Sequence, residues 1–329
     1  MAITVTQTMP VRPVDEMYLE ADLDGMVRLE DDVKESRPPL TIVWRNVVIF
    51  AILHLAALVG LYYFLFEAMW LTCLWAFIVH AVGTIGVTAG PHRLWSHRSY
   101  KATTTARAIF MLASTVAFQN DVIEWSRDHR CHHKWTDTEA DPHNAKRGFF
   151  YSHVGWLMAR KTEQIKEMGA KIDLSDLYAD PVLVFQRRHY YKLVLLLCFL
   201  LPAAIPVFLW GESPLIAFFV ASIFRYTVSL NNAWLINSAA HTWGYRPYDA
   251  SISPAENIWM NFPTGEGGHN FHHTFPQDYR ASEMFILTNW TRIVVEFMAK
   301  FGMVYDMKVI SDEAINRQMR RAGDPKFSH

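Results

Sequence analysis

The chain has 329 residues, of which 51% are hydrophobic and 14% aromatic, and its formal net charge is −1. A charge so close to zero gives no indication of a nucleic-acid partner. The three cysteines, Cys73, Cys131 and Cys198, are far apart and form neither a CxxC pair nor a disulfide framework. We therefore expect any metal ligands to be nitrogens.

The first 40 residues are predicted to form a mobile acidic tail. Between Asp15 and Glu35 there are nine acidic residues against two basic ones, and Pro38 and Pro39 follow. The opening residues contain no apolar run of the kind found in signal peptides, so no cleavable signal peptide is expected.

Four apolar runs predict four membrane-spanning helices in an all-α integral membrane protein. A helix needs about 20 apolar residues to cross the hydrocarbon core. The predicted spans are residues 47–66, 68–90, 193–210 and 215–237. The alternative, a buried core helix, fits the first two runs poorly because of their length. Arg225 interrupts the fourth run; facing lipid it would cost about 2.5–3.5 kcal/mol, so it is predicted to face protein or water.

The distribution of basic residues predicts the orientation in the membrane. The short links near Glu67 and at Gly211–Ser213 contain no Lys or Arg, whereas the other connections are rich in both. By the positive-inside rule, both termini and the long middle segment face the cytosol. Residues 91–192 and 238–310 are then expected to form a cytosolic helical cap, and residues 311–329 a C-terminal tail.

Nine histidines fall in four clusters, all on the predicted cytosolic side. In chain order they are His92 and His97, then His129, His132 and His133, then His241, and finally His269, His272 and His273. Each HxxHH cluster places three imidazoles on one face of a helix. His92 and His97 would be about 140° apart on a straight helix. They converge only if the helix bends or ends between them, as Pro91 allows.

So many imidazoles suit two metal ions rather than one. Structural zinc sites are four-coordinate and rely on cysteine, which these clusters do not offer as a ligand set. An iron pair for oxygen chemistry is the better assignment, although imidazole also suits copper and nickel. The Glu-x-x-His pattern of carboxylate-bridged diiron proteins is missing from the clusters. Asn237 shares a helix face with His241.

These clusters and the sequence around them resemble the membrane-bound acyl-CoA desaturases of the stearoyl-CoA desaturase family, most of all its insect members. The matching segments are "TAGPHRLWSHRSYK", "QNDVIEWSRDHRCHHK", "DTEADPHN", "RGFFYSHVGWLMARK", "NSAAHTWGYRPYD" and "GGHNFHHTFPQDYR". They follow the family order within residues 40–310. One HxxHH motif would be weak evidence, whereas this ordered set is specific.

The resemblance implies a role for each matching residue. The nine histidines would be the ligands of two iron ions, and Asn237 would meet one iron through water. The residues expected to hold the CoA head group are Asn46, Asn120, Arg127, Asp128, Arg160 and Lys161. Those expected to line the bend of the acyl tunnel are Gln119, Trp125 and Trp234. Ala233 stands where the family often has Thr, which leaves regioselectivity open.

The implied activity is oxygen-dependent desaturation of a saturated long-chain acyl-CoA, at Δ9 or a related position, in the endoplasmic reticulum membrane. The resemblance also implies that electrons come from cytochrome b5 and its NADH-dependent reductase. The sequence shows no dinucleotide fingerprint or fused haem motif, so the donor is expected to be a separate protein. Two alternatives are a membrane diiron hydroxylase and a histidine-rich metal transporter, whose ligands would lie near the bilayer midplane. Ser253–Glu256, "SPAE", occupies a variable family signature that predicts no regiochemistry by itself.

His80 is a further candidate substrate residue. It lies 12 positions before His92, about 18 Å along a straight helix. A tunnel running down the second span from a cytosolic metal centre would therefore pass close to it. We predict that His80 forms part of the tunnel floor and is hydrogen-bonded to a neighbouring helix. The alternative is a histidine that only packs, as is expected of His54.

Overall fold

The computed structural model describes residues 11–13, 37–283 and 288–327, and these are mostly helical. The α-helices are α1 (Trp44–Phe66), α2 (Trp70–Val87), α3 (Thr104–Val116), α4 (Val122–Lys134), α5 (Phe149–His153), α6 (Glu163–Ala170), α7 (Ser175–Tyr178), α8 (Pro181–Val194), α9 (Leu201–Trp210), α10 (Pro214–Ala217), α11 (Arg225–Thr242), α12 (Asn261–Thr264), α13 (His269–Thr274), α14 (Trp290–Lys300) and α15 (Asp312–Ala322). The π-helical segments Thr88–Ser96, Leu195–Leu200 and Phe218–Phe224 join consecutive helices or extend them. Short 3₁₀ turns occur at Ala145–Arg147, Gly155–Met158 and Ile258–Met260.

The prediction of four membrane helices is confirmed, although they extend further than the apolar runs. The helices long and apolar enough to cross a membrane are Trp44–Phe66, Trp70–Ser96, Pro181–Trp210 and Pro214–Thr242. We call them the first to fourth membrane helices. The third begins at Pro181 rather than at residue 193, because Asp180 caps its first turn and proline is favoured there. Because its first turn is stabilised in this way, the helix can include the polar residues that precede the apolar run. The membrane helices therefore extend beyond the apolar runs and into the predicted cytosolic cap.

The second membrane helix changes its winding where it leaves the apolar run. From Thr88 to Ser96 it is π-helical, with hydrogen bonds from residue i+5 to residue i, and Pro91 lies inside this segment. The backbone N–H of His97 donates to the carbonyl of His92 at 3.2 Å. In this winding residues five apart lie closer in direction than on an α-helix, and the ring centres of His92 and His97 are 5.1 Å apart. The helix ends at Ser96, between the two histidines, which is one of the two ways in which the sequence allowed them to converge.

The fourth membrane helix is the most buried of the four, and the first is the least. In the fully described first helix, Ala57 and Gly60 are the buried residues, so most of its surface faces lipid. Arg225 of the fourth helix is buried, and its guanidinium donates to the carbonyls of Val116 and Cys198 at 3.1 and 2.6 Å. The prediction that Arg225 faces protein is confirmed.

A close contact between α3 and the second membrane helix positions the part of the cap that follows α3. α3 runs along the second membrane helix, and a Cβ on Gly86 would collide with the backbone of Ala113 and Ser114. Small residues allow membrane helices to approach in this way. The contact holds the segment that leads from α3 into α4, where Asp121 caps the first turn by accepting from Ile123 N and Glu124 N.

Two short strand pairs close the cap. β1 (Val11–Pro13) pairs in parallel with β4 (Met307–Val309), and β2 (Lys101–Ala102) pairs with β3 (Val304–Tyr305) antiparallel. A buried apolar core that includes Leu183, Val295 and Met307 lies beside them. Residues 1–40 were predicted to be a mobile acidic tail, but Val11–Pro13 within them pair with β4. The acidic stretch between residues 15 and 35 lies outside the described residues.

Residues 311–329, assigned to a C-terminal tail from the sequence, include the helix α15. Ser311 caps it by accepting from Ala314 N. Its Ile315 is buried in a cluster with Tyr248, Phe271 and Phe275. Phe271 belongs to α13, so this helix covers the element that carries the last three histidines.

Candidate dimetal centre and substrate site

The nine predicted histidine ligands come together in two adjoining clusters. The five-histidine cluster consists of His92, His97, His129, His133 and His272. The four-histidine cluster consists of His132, His241, His269 and His273. In each cluster one ring nitrogen per histidine lies within 4.8 Å of all the others. Each HxxHH motif is therefore divided between the two clusters, which the sequence alone did not indicate.

Helix geometry explains the division. At about 100° per residue, His132 and His133 on α4 point in directions about 100° apart. His129 lies close to His133 in direction and joins the same cluster. On α13 the roles are reversed, since His269 and His273 enter the four-histidine cluster and His272 enters the other. The rings of His133 and His273 stack at 4.0 Å where the clusters meet.

Two aspartates support the four-histidine cluster. His132 Nδ1 lies 2.8 Å from Asp141 Oδ2, and His241 Nδ1 lies 3.0 Å from Asp137 Oδ2. An ionised carboxylate can only accept, so each Nδ1 donates a proton to its aspartate, which leaves Nε2 of the same ring as the nitrogen available to a metal. Such partners fix the tautomer and orientation of metal-binding histidines. Both aspartates lie in "DTEADPHN", but sequence reasoning did not single them out.

The carboxylate beside the five-histidine cluster, that of Glu266, lies further from its histidine than the two aspartates lie from theirs. Glu266 Oε2 lies 3.7 Å from His92 Nδ1, and Glu266 Oε1 accepts from the buried Arg93 guanidinium at 2.6 Å. Burial raises the pKa of Glu266, although Arg93 acts in the opposite direction. Glu266 therefore pairs mainly with Arg93 and interacts only weakly with the imidazole of His92.

His143 lies behind His132 rather than in either cluster. It is buried, its ring centre is 4.4 Å from that of His132, and its backbone N–H donates to Asp141 Oδ1 at 3.0 Å. His132, Asp141 and His143 also form a compact group that could hold a metal. Because Asp141 Oδ2 already accepts from His132, we interpret this group as support for His132 rather than as a third metal site.

Burial determines the charge of most of these imidazoles. Burial, helped by the charge of Arg130, lowers the pKa of His97 to about 3. Burial also lowers the pKa values of His129, His133, His269, His272 and His273 well below the ordinary value. For His132 burial acts in the same direction, but the charge and hydrogen bond of Asp141 together raise its pKa. Neutral imidazole is the form that binds a metal.

The arrangement of nitrogens fits two metal ions. The Nε2 atoms of His92 and His272 are 2.8 Å apart, and those of His241 and His269 are 3.0 Å apart. The Nε2 of His273 is buried without a hydrogen-bond partner among the described residues. Metal–imidazole bonds of about 2.0–2.1 Å place neighbouring ligand nitrogens at about these separations. The clusters can therefore hold metal, as the sequence predicted.

Asn237 lies one turn before His241 on α11 and is half-buried. This position is compatible with the predicted contact through water, which remains a prediction.

The predicted head-group residues form a charged patch beside the five-histidine cluster. Asp128, next to the ligand His129, accepts from Arg127 Nη2 at 2.8 Å and from Lys161 Nζ at 2.7 Å. Arg160 precedes Lys161 and is exposed. Arg127, Asp128 and Lys161 are thus in direct contact.

The remaining head-group candidates flank this patch. Asn46 Nδ2 donates to the carbonyl of Leu157 at 2.8 Å, which ties the first membrane helix to the segment leading to Arg160. Asn120 is exposed in the turn before α4 and has a φ of 73°, a left-handed conformation that asparagine tolerates. Their contact with CoA remains a prediction.

Gln119 and Trp125, two of the predicted tunnel residues, lie together at the five-histidine cluster. Trp125 Nε1 donates to Gln119 Oε1 at 3.3 Å, and the Trp125 ring stacks on His129 at 4.8 Å. Trp234 lies apart from them. It is buried in the fourth membrane helix, with its ring 5.5 Å from that of Phe50.

His80 is buried between membrane helices. Its Nδ1 lies 2.8 Å from Ser229 Oγ of the fourth membrane helix, and its Nε2 lies 3.4 Å from the carbonyl of Pro263. The hydrogen bond to a neighbouring helix is as the sequence predicted. A place at the tunnel floor remains a prediction.

Taken together, four membrane helices and two histidine clusters at their ends define a membrane protein with a histidine-lined metal site. Comparison with known proteins gives the family. Residues 68–308 match the family model described as fatty acid desaturase. The chain therefore belongs to the fatty acid desaturase family, whose members are oxidoreductases.

Relatives from three animal groups share most of the chain. It is 55% identical over 310 residues to the Delta(9)-fatty-acid desaturase fat-6 of Caenorhabditis elegans, covering 94% of this chain and 91% of the relative. It is 48% identical to the acyl-CoA desaturase of Ovis aries, covering 94% and 88%. It is 50% identical to the acyl-CoA Delta-9 desaturase of Acheta domesticus, covering 89% and 83%. The resemblance to acyl-CoA desaturases, including an insect one, is confirmed.

Proposed function

We propose that this protein is an O2-dependent acyl-CoA Δ9 desaturase that holds two iron ions in its histidine clusters. The observation that carries the proposal is the pair of adjoining clusters, made by nine histidines at one end of four membrane helices. The names of the relatives from the nematode, the sheep and the cricket support the substrate class and the Δ9 position.

The proposed reaction converts a saturated acyl-CoA, O2, two electrons and two protons into the unsaturated acyl-CoA and two waters. Two iron ions would supply the oxygen activation needed to remove hydrogen from an unactivated methylene. The protein must hold two methylenes beside them, and such positioning contributes strongly to the rate of a difficult step. The four-histidine cluster is buried, which would keep water from the metal held there.

The charged patch beside the five-histidine cluster would bind the CoA head group. Arg127, Arg160 and Lys161 offer cations for the phosphates of CoA, and charge-assisted hydrogen bonds of this kind are the stronger ones. In the described geometry Asp128 holds Arg127 and Lys161 in place. The acyl chain would pass Trp125 and Gln119 and run down between the membrane helices toward His80.

The protein would act in the endoplasmic reticulum membrane with both termini and the cap in the cytosol. Its electrons would come from cytochrome b5, reduced by its NADH-dependent reductase, as the resemblance implies. The excess of Lys and Arg on the histidine-bearing side supports this orientation. Lipid would surround the exposed apolar surface of the first membrane helix.

The proposal is tested by expression in yeast that lacks its own acyl-CoA desaturase. We expect growth without added unsaturated fatty acid, and Δ9 double bonds in 16- and 18-carbon chains mapped by gas chromatography and mass spectrometry. The matched control is His132→Ala, which should insert in the membrane without supporting growth. Hydroxylated products would instead support a diiron hydroxylase, and an unchanged fatty-acid profile would contradict the proposal.

A metal transporter is not favoured. Such a protein would place its ligands near the bilayer midplane, whereas the two clusters lie at the ends of the second and fourth membrane helices and in the cap. Within the membrane helices, His54 bonds to the carbonyl of Phe50 at 2.7 Å and His80 bonds to Ser229.

A further inference from the structure

The segment Ser253–Glu256, to which the sequence gave no role, lies against the four-histidine cluster. We call it the SPAE segment. Pro254, Ala255 and Glu256 are buried, and Ser253 is half-buried. The segment contacts three separate parts of the chain: the loop after α4, the end of α11 and the start of α13. Each of these parts carries or supports a histidine of that cluster.

The first contact passes through Asp137. The Ser253 hydroxyl donates to Asp137 Oδ2, the same oxygen that accepts from His241 Nδ1 at 3.0 Å. The other oxygen of Asp137 accepts from the backbone N–H of Ala145 at 2.6 Å. The hydroxyl of Ser253 therefore fixes Asp137 Oδ2, the oxygen that orients the imidazole of His241.

Asp137 itself has a backbone conformation that needs support. Its φ is 56°, in the left-handed region that non-glycine residues adopt at some cost. A residue held in this way persists only when its surroundings fix it. Ser253 and Ala145 supply two of the hydrogen bonds that do so.

The other contacts hold the two helices that bear ligands. Ala255 N donates to the carbonyl of Ala240, the residue before His241, at 2.8 Å. Asn270 Nδ2 donates to the carbonyl of Pro254 at 3.0 Å, and Phe271 N donates to Glu256 Oε1 at 2.7 Å. Asn270 and Phe271 lie between His269 and His272 on α13. One short segment thus holds both helices at the points where they present ligands.

We propose that the SPAE segment is a brace that positions the four-histidine cluster, with Ser253 as the positioning residue that fixes Asp137 and through it His241. The proposal rests on the proposed function in one respect, namely that the histidine clusters hold metal ions. It goes further by assigning this segment to the support of one particular cluster.

The test uses the full-length, iron-loaded protein in detergent or nanodiscs. Ser253→Ala removes the hydroxyl, Ser253→Thr retains it, and Ser251→Ala is the matched control. Ser251 is exposed, and its hydroxyl bonds to Asp249 at 2.6 Å, away from the clusters. Iron per chain is measured over time after addition of a chelator, together with kcat and KM for acyl-CoA. Size-exclusion chromatography confirms that each variant is folded.

For Ser253→Ala we expect one of the two irons to be lost about 10-fold faster, because supports of this kind typically contribute 10- to 100-fold to metal affinity or activity. The value of kcat should fall while KM stays unchanged, and Ser253→Thr should restore both iron retention and kcat. Ser251→Ala should behave as the wild type.

Three outcomes overturn the proposal in distinguishable ways. If the wild type holds two irons and Ser253→Ala keeps wild-type iron retention and kcat, the brace is wrong and the proposed function stands. If the wild type binds no metal, the brace and the proposed function fail together. A rise in KM with normal iron retention would also refute the brace, since it would assign Ser253 to substrate binding.

Discussion

The five-histidine and four-histidine clusters use the same ligand type but differ in what surrounds the ligands. In the four-histidine cluster every histidine is buried, and two imidazoles bond directly to aspartates at 2.8 and 3.0 Å. In the five-histidine cluster His97 and His129 are half-buried, and the carboxylate closest to His92 is 3.7 Å away. One cluster is closed and firmly supported, and the other is partly open.

The open side of the five-histidine cluster is where several of the predicted substrate residues lie. Trp125 stacks on His129, and Asp128 of the charged patch is the neighbour of that ligand. The closed cluster is instead covered by the loop after α4 and by the SPAE segment. Under the proposed function, the four-histidine cluster would hold its metal rigidly and the five-histidine cluster would face the acyl-CoA.

The largest expected effects come from removing a ligand from each cluster. His132→Ala should remove the metal from the four-histidine cluster and His272→Ala from the other, each leaving about one metal per chain and abolishing desaturation, because each cluster loses a ligand nitrogen. Metal content of the purified protein and product analysis check this. Both variants should still insert in membranes. Normal turnover by either one would refute the ligand assignment.

A smaller loss is expected when the charge behind a ligand is removed. Asp141→Asn can still accept from His132 but no longer carries a charge, so metal loss from the four-histidine cluster should become about 10-fold faster, the low end of the range for such supports. Iron retention against a chelator measures the change. The control is Asp173→Asn, whose carboxylate caps Ser175 in an exposed turn. Equal iron retention in both variants would contradict the role of Asp141.

Substitutions in the charged patch test head-group binding on the open side and should leave both metals in place. Charge-assisted hydrogen bonds contribute about 1.5–3 kcal/mol each, and about 1.4 kcal/mol corresponds to a factor of ten. The double variant Arg160→Ala with Lys161→Ala loses two such contacts, so it should raise KM for acyl-CoA by at least about 100-fold and leave two metals per chain. Steady-state kinetics with metal analysis check this.

The control for that variant is Lys166→Ala, since Lys166 pairs with Glu163 of its own helix at 2.7 Å and both are exposed. An unchanged KM in the double variant would assign Arg160 and Lys161 to lipid contact instead.

The smallest effect is expected at the far end of the tunnel. His80→Ala removes side-chain volume where the methyl end of the acyl chain is predicted to stop, so the product ratio should shift toward longer chains by about threefold, the change that about 0.6 kcal/mol produces. Gas chromatography of products from 14-, 16- and 18-carbon substrates measures the ratio. Ser229→Ala breaks the same 2.8 Å hydrogen bond without opening that volume. If both variants keep the wild-type ratio, His80 only packs.

Several parts of the fold were predictable because they depend on local sequence. The four membrane helices follow from apolar runs of sufficient length, and burial of Arg225 follows from the cost of a guanidinium in lipid. The ends of the helices were less predictable. The third begins at Pro181 and the fourth continues to Thr242, because caps and tertiary packing, rather than apolarity, decide where a helix stops.

The sequence by itself determined which nine histidines could bind metal, and the helical repeat fixes that His132 and His133 point about 100° apart. It did not determine how the nine divide into five and four, because that depends on which distant histidines meet each face of α4 and α13. The π-helix that aligns His92 with His97 and the aspartates behind His132 and His241 were likewise decided by tertiary structure. A hydrogen bond such as that between His241 and Asp137 joins residues 104 positions apart. Contacts of this kind exist only after distant segments have been brought together by folding.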